Sequence, residues 1–389
     1  MGKGANNVVQ PAVVVVDPLS SGALISSKAY ERGYQVIRLW SSDCPEELRH
    51  HTSPTAKECF AATLEHLGGM EAEALERTAE ALRELPYQIE AVLCGSEPGV
   101  ILTDFLAEHM GLRGNGTELV GVRRNKFNQS EAVRAQGHRA VQQVLTSSEA
   151  EAKAFVEALD PQPFRVIVKP VESAGSEDVK LCRSMDEVVA HMREVMSRDA
   201  NALGLKNDKV LVQEFLAGTE YIVDFVSRDG VHKCVAVWQY DKRAANGAGF
   251  VYFGQRPLSI DQHTTQVLVE YVTNVLSCLG IVNGATHSEV MMDANGVPCL
   301  VECNCRTHGG NGEWEPVIQP LLNYSQVSVL LDAFLDGPAF DAIPAAPQPF
   351  NGFGILAFLP SYKEGLLMAA PGFDEAASSL LSYKAASLE

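Results

Sequence analysis

The sequence predicts an α/β protein of two or three domains, and three features of the chain support this. Apolar runs alternate with helical patterns up to about residue 111, as in a parallel sheet covered by helices. A second strand-and-helix unit follows residue 121, and strand patterns repeat from residue 210 onward. With 389 residues, of which 46% are hydrophobic, the chain can bury the cores of that many domains.

The first unit has the pattern of a small doubly wound domain ending at about residue 120. Its predicted strands are 12–16 (AVVVV), 34–40 (YQVIRLW) and 91–95 (AVLCG), and its predicted helices are 22–32, 71–85 and 97–111. The loop after the first strand reads DPLSSG, so the dinucleotide fingerprint GxGxxG is absent. Ligands of such sheets bind at the carboxyl ends of the strands, where Glu97 lies. Glu97 can contact a ligand there, or simply stabilise the first turn of the next helix.

The second unit combines lysines with a loop of small residues. A strand at 164–170 (FRVIVKP) ends at Lys169, and the loop VESAGSEDV follows. Such a loop can present backbone N–H groups to phosphate oxygens, with the lysine supplying positive charge. Lys126 lies beside the N-terminus of a helix that we expect Asn125 to cap. Solvated surface lysines would give the same local patterns.

A strand, a turn and a second carboxylate follow in VQEFLAGTEY. Glu214, Phe215 and Leu216 lie at the end of the predicted strand, and Glu220 follows the turn. An apolar slot, backbone hydrogen-bonding groups and a carboxylate are what a purine nucleoside requires. Any strand-loop-strand connection could produce a similar pattern.

A predicted hairpin brings together three oxygen-bearing side chains in HSEVMMDANGVPCLVECN. A two-residue turn centred on Asn-Gly at 295–296 places Glu289 opposite Glu302 and His287 opposite Asn304. Because side chains alternate between faces, all four project from one side of the sheet. The same alternation turns the two cysteines next to Asn304 away from that side, into packing.

Opposed carboxylates at this position favour a bound cation. Glu289 and Glu302 would repel each other by up to roughly 1 kcal/mol across the ladder. Their oxygens, together with the amide of Asn304, suit Mg²⁺ or Mn²⁺. The alternative is a solvent-facing hairpin whose acids are simply hydrated.

The strand continues into ECNCRTHGGNGEW. Arg306 follows Asn304 by two residues and shares its face if the strand extends that far. A guanidinium at this position could clamp a γ-phosphate or a substrate carboxylate. Gly309 and Gly310 permit close approach of the backbone to a ligand. Trp314 is expected to belong to the core.

Composition excludes several classes of protein. Lys and Arg number 31 against 49 acids, a net charge of −18, so nucleic acid is not an expected partner. No apolar run approaches a membrane span and no signal core is visible, so we expect a cytoplasmic protein. Nine cysteines without CxxC spacing favour reduced core thiols over disulfides or zinc.

Taken in order, these motifs resemble the ATP-grasp superfamily of ligases. A lysine at a helix start, a strand lysine with a small-residue loop, QEFLxGxE and E-x(12)-E-x-N-x-R cover about residues 115–315. The resemblance implies an ATP-grasp fold, in which two α+β subdomains clasp ATP, preceded by a Rossmann-like domain. The implied domains are 1–120 for the Rossmann-like unit, 121–212 for the small subdomain with its lid, and 213–389 for the large subdomain and C-terminal segment. The chain is most similar to the L-amino acid ligase and carnosine synthase branch.

The resemblance also implies a role for each residue. Lys126 and Lys169 would hold the ATP phosphates under a lid containing Ser173, Gly175 and Ser176. Glu214 and the backbone of Phe215 and Leu216 would bind adenine, and Glu220 the ribose. Glu289, Glu302 and Asn304 would ligate Mg²⁺, and Arg306 and Lys169 would act on the transferring phosphoryl group. The implied substrate contacts are Glu97, His287, Arg306, Gly309 and Gly310, with His287 also a candidate base.

The implied activity is ATP-dependent ligation of a carboxylate to an amine through an acyl phosphate, with release of ADP and phosphate. One departure from the family is the acidic lid, where Asp178 occupies a position that is commonly glycine, next to Glu177. Three alternatives stay open: a carboxylase of the biotin-dependent type, a purine-pathway ligase, and a nucleotide-binding protein without turnover. The C-terminal segment is short for the amino acid ligase branch, so a second chain, as in a homodimer, could complete the substrate cover.

Overall fold

The structure is a computed structural model that describes residues 9–49, 56, 58–171, 178–201, 206–246, 248–362 and 372–379. The strands are β1 Gln10–Val16, β2 Gln35–Trp40, β3 Phe60–Glu65, β4 Tyr87–Cys94, β5 Gln143–Thr146, β6 Val166–Pro170, β7 Lys180–Cys182, β8 Val210–Glu214, β9 Thr219–Arg228, β10 Val231–Ala245, β11 Ala248–Pro257, β12 Gly284–Met292, β13 Pro298–Asn304 and β14 Leu356–Ala357. The helices are α1 Ser21–Glu31, α2 Glu46–Arg49, α3 Ala72–Arg83, α4 Val100–His109, α5 Val120–Arg124, α6 Lys126–Ala135, α7 Glu149–Leu159, α8 Met185–Ser197, α9 His263–Cys278, α10 Glu315–Leu322, α11 Gln326–Leu335, α12 Gly337–Ala342 and α13 Phe373–Ser378.

The N-terminal sheet is parallel, as predicted. Its strand order is β3-β2-β1-β4, and each neighbouring pair runs parallel. The valines of β1 are fully buried because helices cover both faces of this sheet. Strand β3, which was not predicted from the sequence, lies at the edge of the sheet and alternates between half-buried and exposed residues. The predicted helix at 97–111 is divided into a 3₁₀ turn at Glu97–Gly99 and α4.

Two antiparallel sheets form the rest of the described chain. The smaller sheet has the order β5-β8-β6-β7, and α7 and α8 pack on it around an aliphatic core. The larger sheet has the order β13-β12-β9-β10-β11-β14. The Asp-Gly pair between β9 and β10 is typical of a hairpin turn, and both Asp229 and Gly230 have positive φ. This mixed architecture confirms the predicted fold class.

The larger sheet is covered differently on its two faces. Helix α9 packs on one face, in a core that includes Val223, Phe225 and Cys303. On the other face, Ile222 and Trp238 belong to a core shared with the N-terminal sheet and α11. This second face continues past that core into a cleft facing the smaller sheet, and the cleft holds the site described below.

Two further expectations concern cysteines and membranes. All nine cysteines are free, as predicted. Among the described residues, no helix is both long and apolar enough to cross a membrane. The C-terminal stretch GFGILAFLP also has a strand pattern, but only the two residues of β14 form a strand, which pairs with β11 and becomes the edge of the larger sheet.

Candidate active site

A cavity of about 660 Å³ lies between the two antiparallel sheets, beside the N-terminal unit. The predicted site residues that the structure describes all line it, and they are Glu97, Lys126, Lys169, Glu214, Phe215, Leu216, Glu220, His287, Glu289, Glu302, Asn304, Arg306, Gly309 and Gly310. Three predicted lid residues, Ser173, Gly175 and Ser176, lie outside the described part of the chain. Residues more than 200 positions apart in sequence therefore meet in one cleft.

The hairpin β12–β13 has the predicted pairs but a different turn. Glu289 pairs with Glu302 and His287 with Asn304, as predicted. The turn is not a two-residue turn, because the N–H of Asp293 donates to the carbonyl of Val297, 3.1 Å away, which leaves three loop residues. A β-bulge on β13, next to Glu302, shifts the register by one residue and compensates for the longer loop.

The oxygen atoms on this hairpin suit a divalent cation. The amide nitrogen of Asn304 donates to the carbonyl of His287 at 3.4 Å and lies 3.3 Å from Glu302 Oε1. Asn304 therefore has its Oδ1 to offer to a metal ion, alongside the carboxylates of Glu289 and Glu302. Such a set of hard oxygen donors is typical of Mg²⁺ and Mn²⁺ sites that keep water or phosphate as further ligands.

Nearby cations keep both carboxylates ionised. Burial alone would raise the pKa of Glu302, but Lys126, whose Nζ lies 2.9 Å from Oε2, holds it below its usual value. Burial likewise opposes ionisation of Glu289, and Lys242 and His287 hold the pKa of Glu289 well below its ordinary range. Both groups are thus anionic at neutral pH, as ligands of a cation must be.

Lys169 lies at the end of β6 and is only 7% exposed. Burial, together with the positive charge of Lys126, lowers the pKa of Lys169 to about 8. Lys126 and Lys169 line the same cavity and repel each other, so they favour a polyanionic ligand such as a triphosphate, which would relieve that repulsion.

A buried hydrogen-bonded cluster that was not predicted from the sequence lies behind His287. Asp224 Oδ1 is 3.0 Å from His287 Nδ1, and Oδ2 is 2.9 Å from His308 Nδ1. The indole N–H of Trp238 donates to the same Oδ2 at 2.9 Å. Burial favours neutral His287, but hydrogen bonds to Asp224 and Glu289 raise its pKa to about 9. A protonated imidazole cannot accept a proton, so this charge state opposes the predicted role of His287 as a base.

We expect Asp224→Asn to destabilise the fold by about 3 kcal/mol at neutral pH, because it leaves the buried His287 charge with only Glu289 beside it, 3.7 Å away. The measurement is urea denaturation, with the exposed Asp229→Asn as control. The histidines hold the pKa of Asp224 far below its ordinary value despite burial. Its stabilisation is therefore present above about pH 4 and is lost as pH falls below that. Equal stability of the two variants at pH 7 would contradict the assignment.

The predicted nucleoside-binding residues lie around an apolar slot. Glu214 accepts a hydrogen bond from the backbone N–H of Gln142 at 2.7 Å and pairs with Arg139 at 2.8 Å. Glu220 lies 2.6 Å from Lys242 Nζ, yet burial and the neighbouring Glu289 raise the pKa of Glu220 to about 7. The slot itself is lined by Val141, Ile167, Phe215, Leu216, Met291 and Leu300.

Glu97 faces the cavity from the N-terminal unit, although it also begins a 3₁₀ turn. Arg306 Nε lies 3.2 Å from Glu97 Oε2, and Arg124 lies 3.5 Å from Oε1. Both interpretations of Glu97 are therefore compatible with its position. The glycines after Arg306 are held in place by Trp314, whose indole N–H donates to the carbonyl of Gly309 at 2.9 Å. Trp314 is 1% exposed, which confirms the prediction that it belongs to the core.

The backbone conformation of Asp178 explains in part why an acid can occupy this position of the predicted lid. This residue has φ of 55°, in the left-handed region that glycine adopts without strain. Its carboxylate forms an ion pair with the guanidinium of Arg198 at 2.9 Å. Its backbone carbonyl lies within hydrogen-bonding distance of His191 Nε2, at 2.8 Å. Asp178 is thereby held against α8 and does not line the cavity. Glu177 lies outside the described residues.

We expect Asp178→Gly to leave turnover within about twofold and stability within about 1 kcal/mol of the parent, because relief of left-handed strain offsets the lost ion pair. Asp178→Ala loses the ion pair and keeps the strain, so we expect a lower melting temperature. Thermal unfolding of both variants checks this. A large gain of turnover in Asp178→Gly would show that the acid restrains the site.

Several cavity residues were not identified from the sequence. They are Tyr240 and Lys242 on β10, Gln255 on β11, and His308 after β13. Asp224 was also missed, although it shares a strand face with Glu220 by alternation and that signal was available. The partners on β10 and β11 depend on pairing between distant strands and leave no local signal.

Comparison with known proteins agrees with this geometry. Residues 162–315 match the family model for the ATP-grasp domain. Dapdiamide A synthase from Enterobacter agglomerans is 34% identical over 275 residues, which are 70% of this chain and 63% of that protein. The chain thus spans less than two thirds of the length of that relative.

Solved structures share the fold at low sequence identity. The L-amino acid ligase from Bacillus licheniformis superposes with a TM-score of 0.65 at 19% identity, over 86% of this chain and 78% of that one. The biotin carboxylase domain of the Hydrogenobacter thermophilus 2-oxoglutarate carboxylase, solved with Mg-ADP and bicarbonate, gives 0.65 at 16% identity, over 88% and 73%. At these identities the likeness concerns the fold alone.

Proposed function

Residues 162–315 match the ATP-grasp domain, and from that premise we propose that the chain is an ATP-dependent carboxylate-amine ligase. ATP phosphorylates a carboxylic acid to give an acyl phosphate. An amine then attacks the acyl carbon, so that a C–N bond forms, the C–O bond to phosphate breaks, and ADP and phosphate are released. The products most consistent with the relatives are dipeptides or amino acid amides.

One observation carries this proposal: three oxygen ligands and two lysines converge in the cavity that also contains an apolar slot. Glu289, Glu302 and Asn304 would hold Mg²⁺ or Mn²⁺, which when bound neutralises charge on the phosphates. Lys126 and Lys169 add positive charge where the triphosphate would lie. No side-chain nucleophile is required, because positioning and charge stabilisation account for most phosphoryl-transfer catalysis.

The remaining cavity residues would position the two substrates. Arg306 is held by Glu97 at the edge of the cavity, where its guanidinium can steady a phosphoryl group or a carboxylate. His287, as a cation fixed by Asp224, suits contact with a substrate carboxylate. Gly309 and Gly310 let a substrate approach the backbone.

A phosphate-release screen over pairs of carboxylic acids and amines tests the proposal. We expect ADP and phosphate to form only when acid, amine and Mg²⁺ are all present, and the coupled amide to be visible by mass spectrometry. ADP release stimulated by bicarbonate without amine would instead favour a carboxylase. Nucleotide binding without phosphate release from any pair would mean that the protein does not catalyse ligation.

A further inference from the structure

The cavity has a second apolar region besides the slot described above. It is formed by Phe250, Tyr252, Leu356 and Phe358, with Tyr240 behind them, and we call these five residues the aromatic shelf. The shelf lies on β10, β11 and the C-terminal strand β14 with its next residue, whereas the first slot is formed by the smaller sheet with β12 and β13.

The two apolar regions lie on different strands of the larger sheet. In the sheet order, β12 is separated from β11 by three strand spacings and from β14 by four, roughly 14 Å and 19 Å, and only Tyr240 on β10 is nearer. Glu220 lies on β9, between the two regions, and Lys242 pairs with it there. If ATP places its base in the first slot, the shelf is left for an apolar group of another ligand.

The shelf is held in a fixed arrangement. The rings of Tyr240 and Tyr252 pack edge to face with centroids 5.2 Å apart, and Tyr252 and Phe358 do the same at 6.4 Å. The hydroxyl of Tyr240 donates to Glu289 Oε1 at 3.3 Å. The shelf therefore begins next to Glu289, one of the proposed metal ligands. The carboxylate of the substrate must lie near this metal site to be phosphorylated.

We propose that the aromatic shelf binds the side chain of the acid that is phosphorylated, and that this side chain is bulky and apolar. The inference rests on the proposed ligase function, since it assumes that the acid's carboxylate lies next to the hairpin β12–β13. An aromatic or branched aliphatic side chain would gain burial against the shelf. The cation beside the shelf is Lys242, whose Nζ lies 4.4 Å and 4.5 Å from the ring centroids of Tyr240 and Tyr252. Lys242 is already paired with Glu220, so an acidic side chain would have to compete for it while losing hydration.

Binding to the full chain tests this independently of turnover. The protein saturated with Mg-ADP is titrated with L-phenylalanine, L-leucine, L-alanine or L-aspartate while thermal unfolding is followed. We expect phenylalanine and leucine to raise the melting temperature at concentrations where alanine and aspartate have no effect. In phosphate release with glycinamide as the amine, we expect kcat/KM at least about tenfold higher for the bulky apolar acids.

Two variants test the residues directly. Leu356→Ala and Phe358→Ala each shorten the shelf, so we expect KM for the apolar acid to rise about tenfold while KM for ATP is unchanged. Phe353→Ala is the matched control, since Phe353 is 77% exposed in the same segment and does not line the cavity. A rise in KM for ATP in the two shelf variants would assign the shelf to the nucleotide and overturn the proposal.

The outcomes separate this inference from the ligase proposal. Equal binding of phenylalanine and aspartate, or unchanged binding in both shelf variants, overturns the shelf assignment even if phosphate is released. If phenylalanine is preferred through the shelf but no pair of acid and amine releases phosphate, the ligase proposal is overturned and the shelf remains a binding site. A preference confined to the amine component also contradicts the proposal, because it would place the wrong substrate on the shelf.

Discussion

Glu302→Gln is expected to lower ATP-dependent phosphate release by roughly 10³-fold, about 4 kcal/mol in transition-state stabilisation. The substitution keeps the shape of the side chain but removes one anionic ligand from the proposed metal site. It also removes the partner of Lys126, whose Nζ lies 2.9 Å from the carboxylate. The measurement is single-turnover phosphate release at saturating Mg²⁺ and substrates.

Cys303→Ala is the matched control for Glu302→Gln, because the two residues are neighbours on opposite faces of β13. Cys303 is 2% exposed and packs in the core beneath the sheet, so its loss should affect stability slightly and metal binding little. Equal activity of the two variants would mean that the face assignment of the hairpin is wrong.

Lys169→Met is expected to weaken ADP binding by roughly 10²-fold, about 2.7 kcal/mol, because a buried charge facing the phosphates is lost. Methionine fills a similar volume, so the fold should be retained. Lys180→Met, at an exposed position on the neighbouring strand β7, is the control and should bind ADP normally. Isothermal titration of ADP measures both.

The lowered pKa of Lys169 also leads to a prediction of how nucleotide affinity depends on pH. Because its pKa is lowered to about 8, Lys169 is charged below that pH and binds phosphate best there. Above pH 8 the free protein loses this charge, and we expect ADP affinity to fall by up to about tenfold per pH unit. The decline should be absent in Lys169→Met. A decline of the same size in that variant would assign the dependence to another group.

Strand alternation predicted the centre of the candidate site, whereas turn chemistry did not predict the turn correctly. The grouping of Glu289, Glu302 and Asn304 on one face follows from strand periodicity, and the structure confirms it. The predicted turn was one residue too short, because the sequence did not indicate the bulge on β13. The predicted pairs are nonetheless correct, because the bulge on β13 offsets the extra loop residue. No local sequence rule predicts that bulge.

The remainder of the cavity depends on contacts between distant parts of the chain. Strand β14 returns to the sheet edge from about 100 residues beyond β11, and only that pairing brings Leu356 beside Gln255. Asp224 and His308 meet although they lie 84 residues apart in sequence, a contact that no periodicity indicates. Asp178 was interpreted from its charge, whereas its left-handed backbone explains why glycine suits the position.

A crystal structure grown with Mn²⁺ and ADP tests the account most directly. We predict an anomalous Mn²⁺ peak bound by the side-chain oxygens of Glu289, Glu302 and Asn304, with the diphosphate beside Lys126 and Lys169. ADP bound in the cavity with Mn²⁺ ligated elsewhere, or ADP bound outside the cavity, would contradict the assignment of this hairpin as the metal site and the ligase proposal with it.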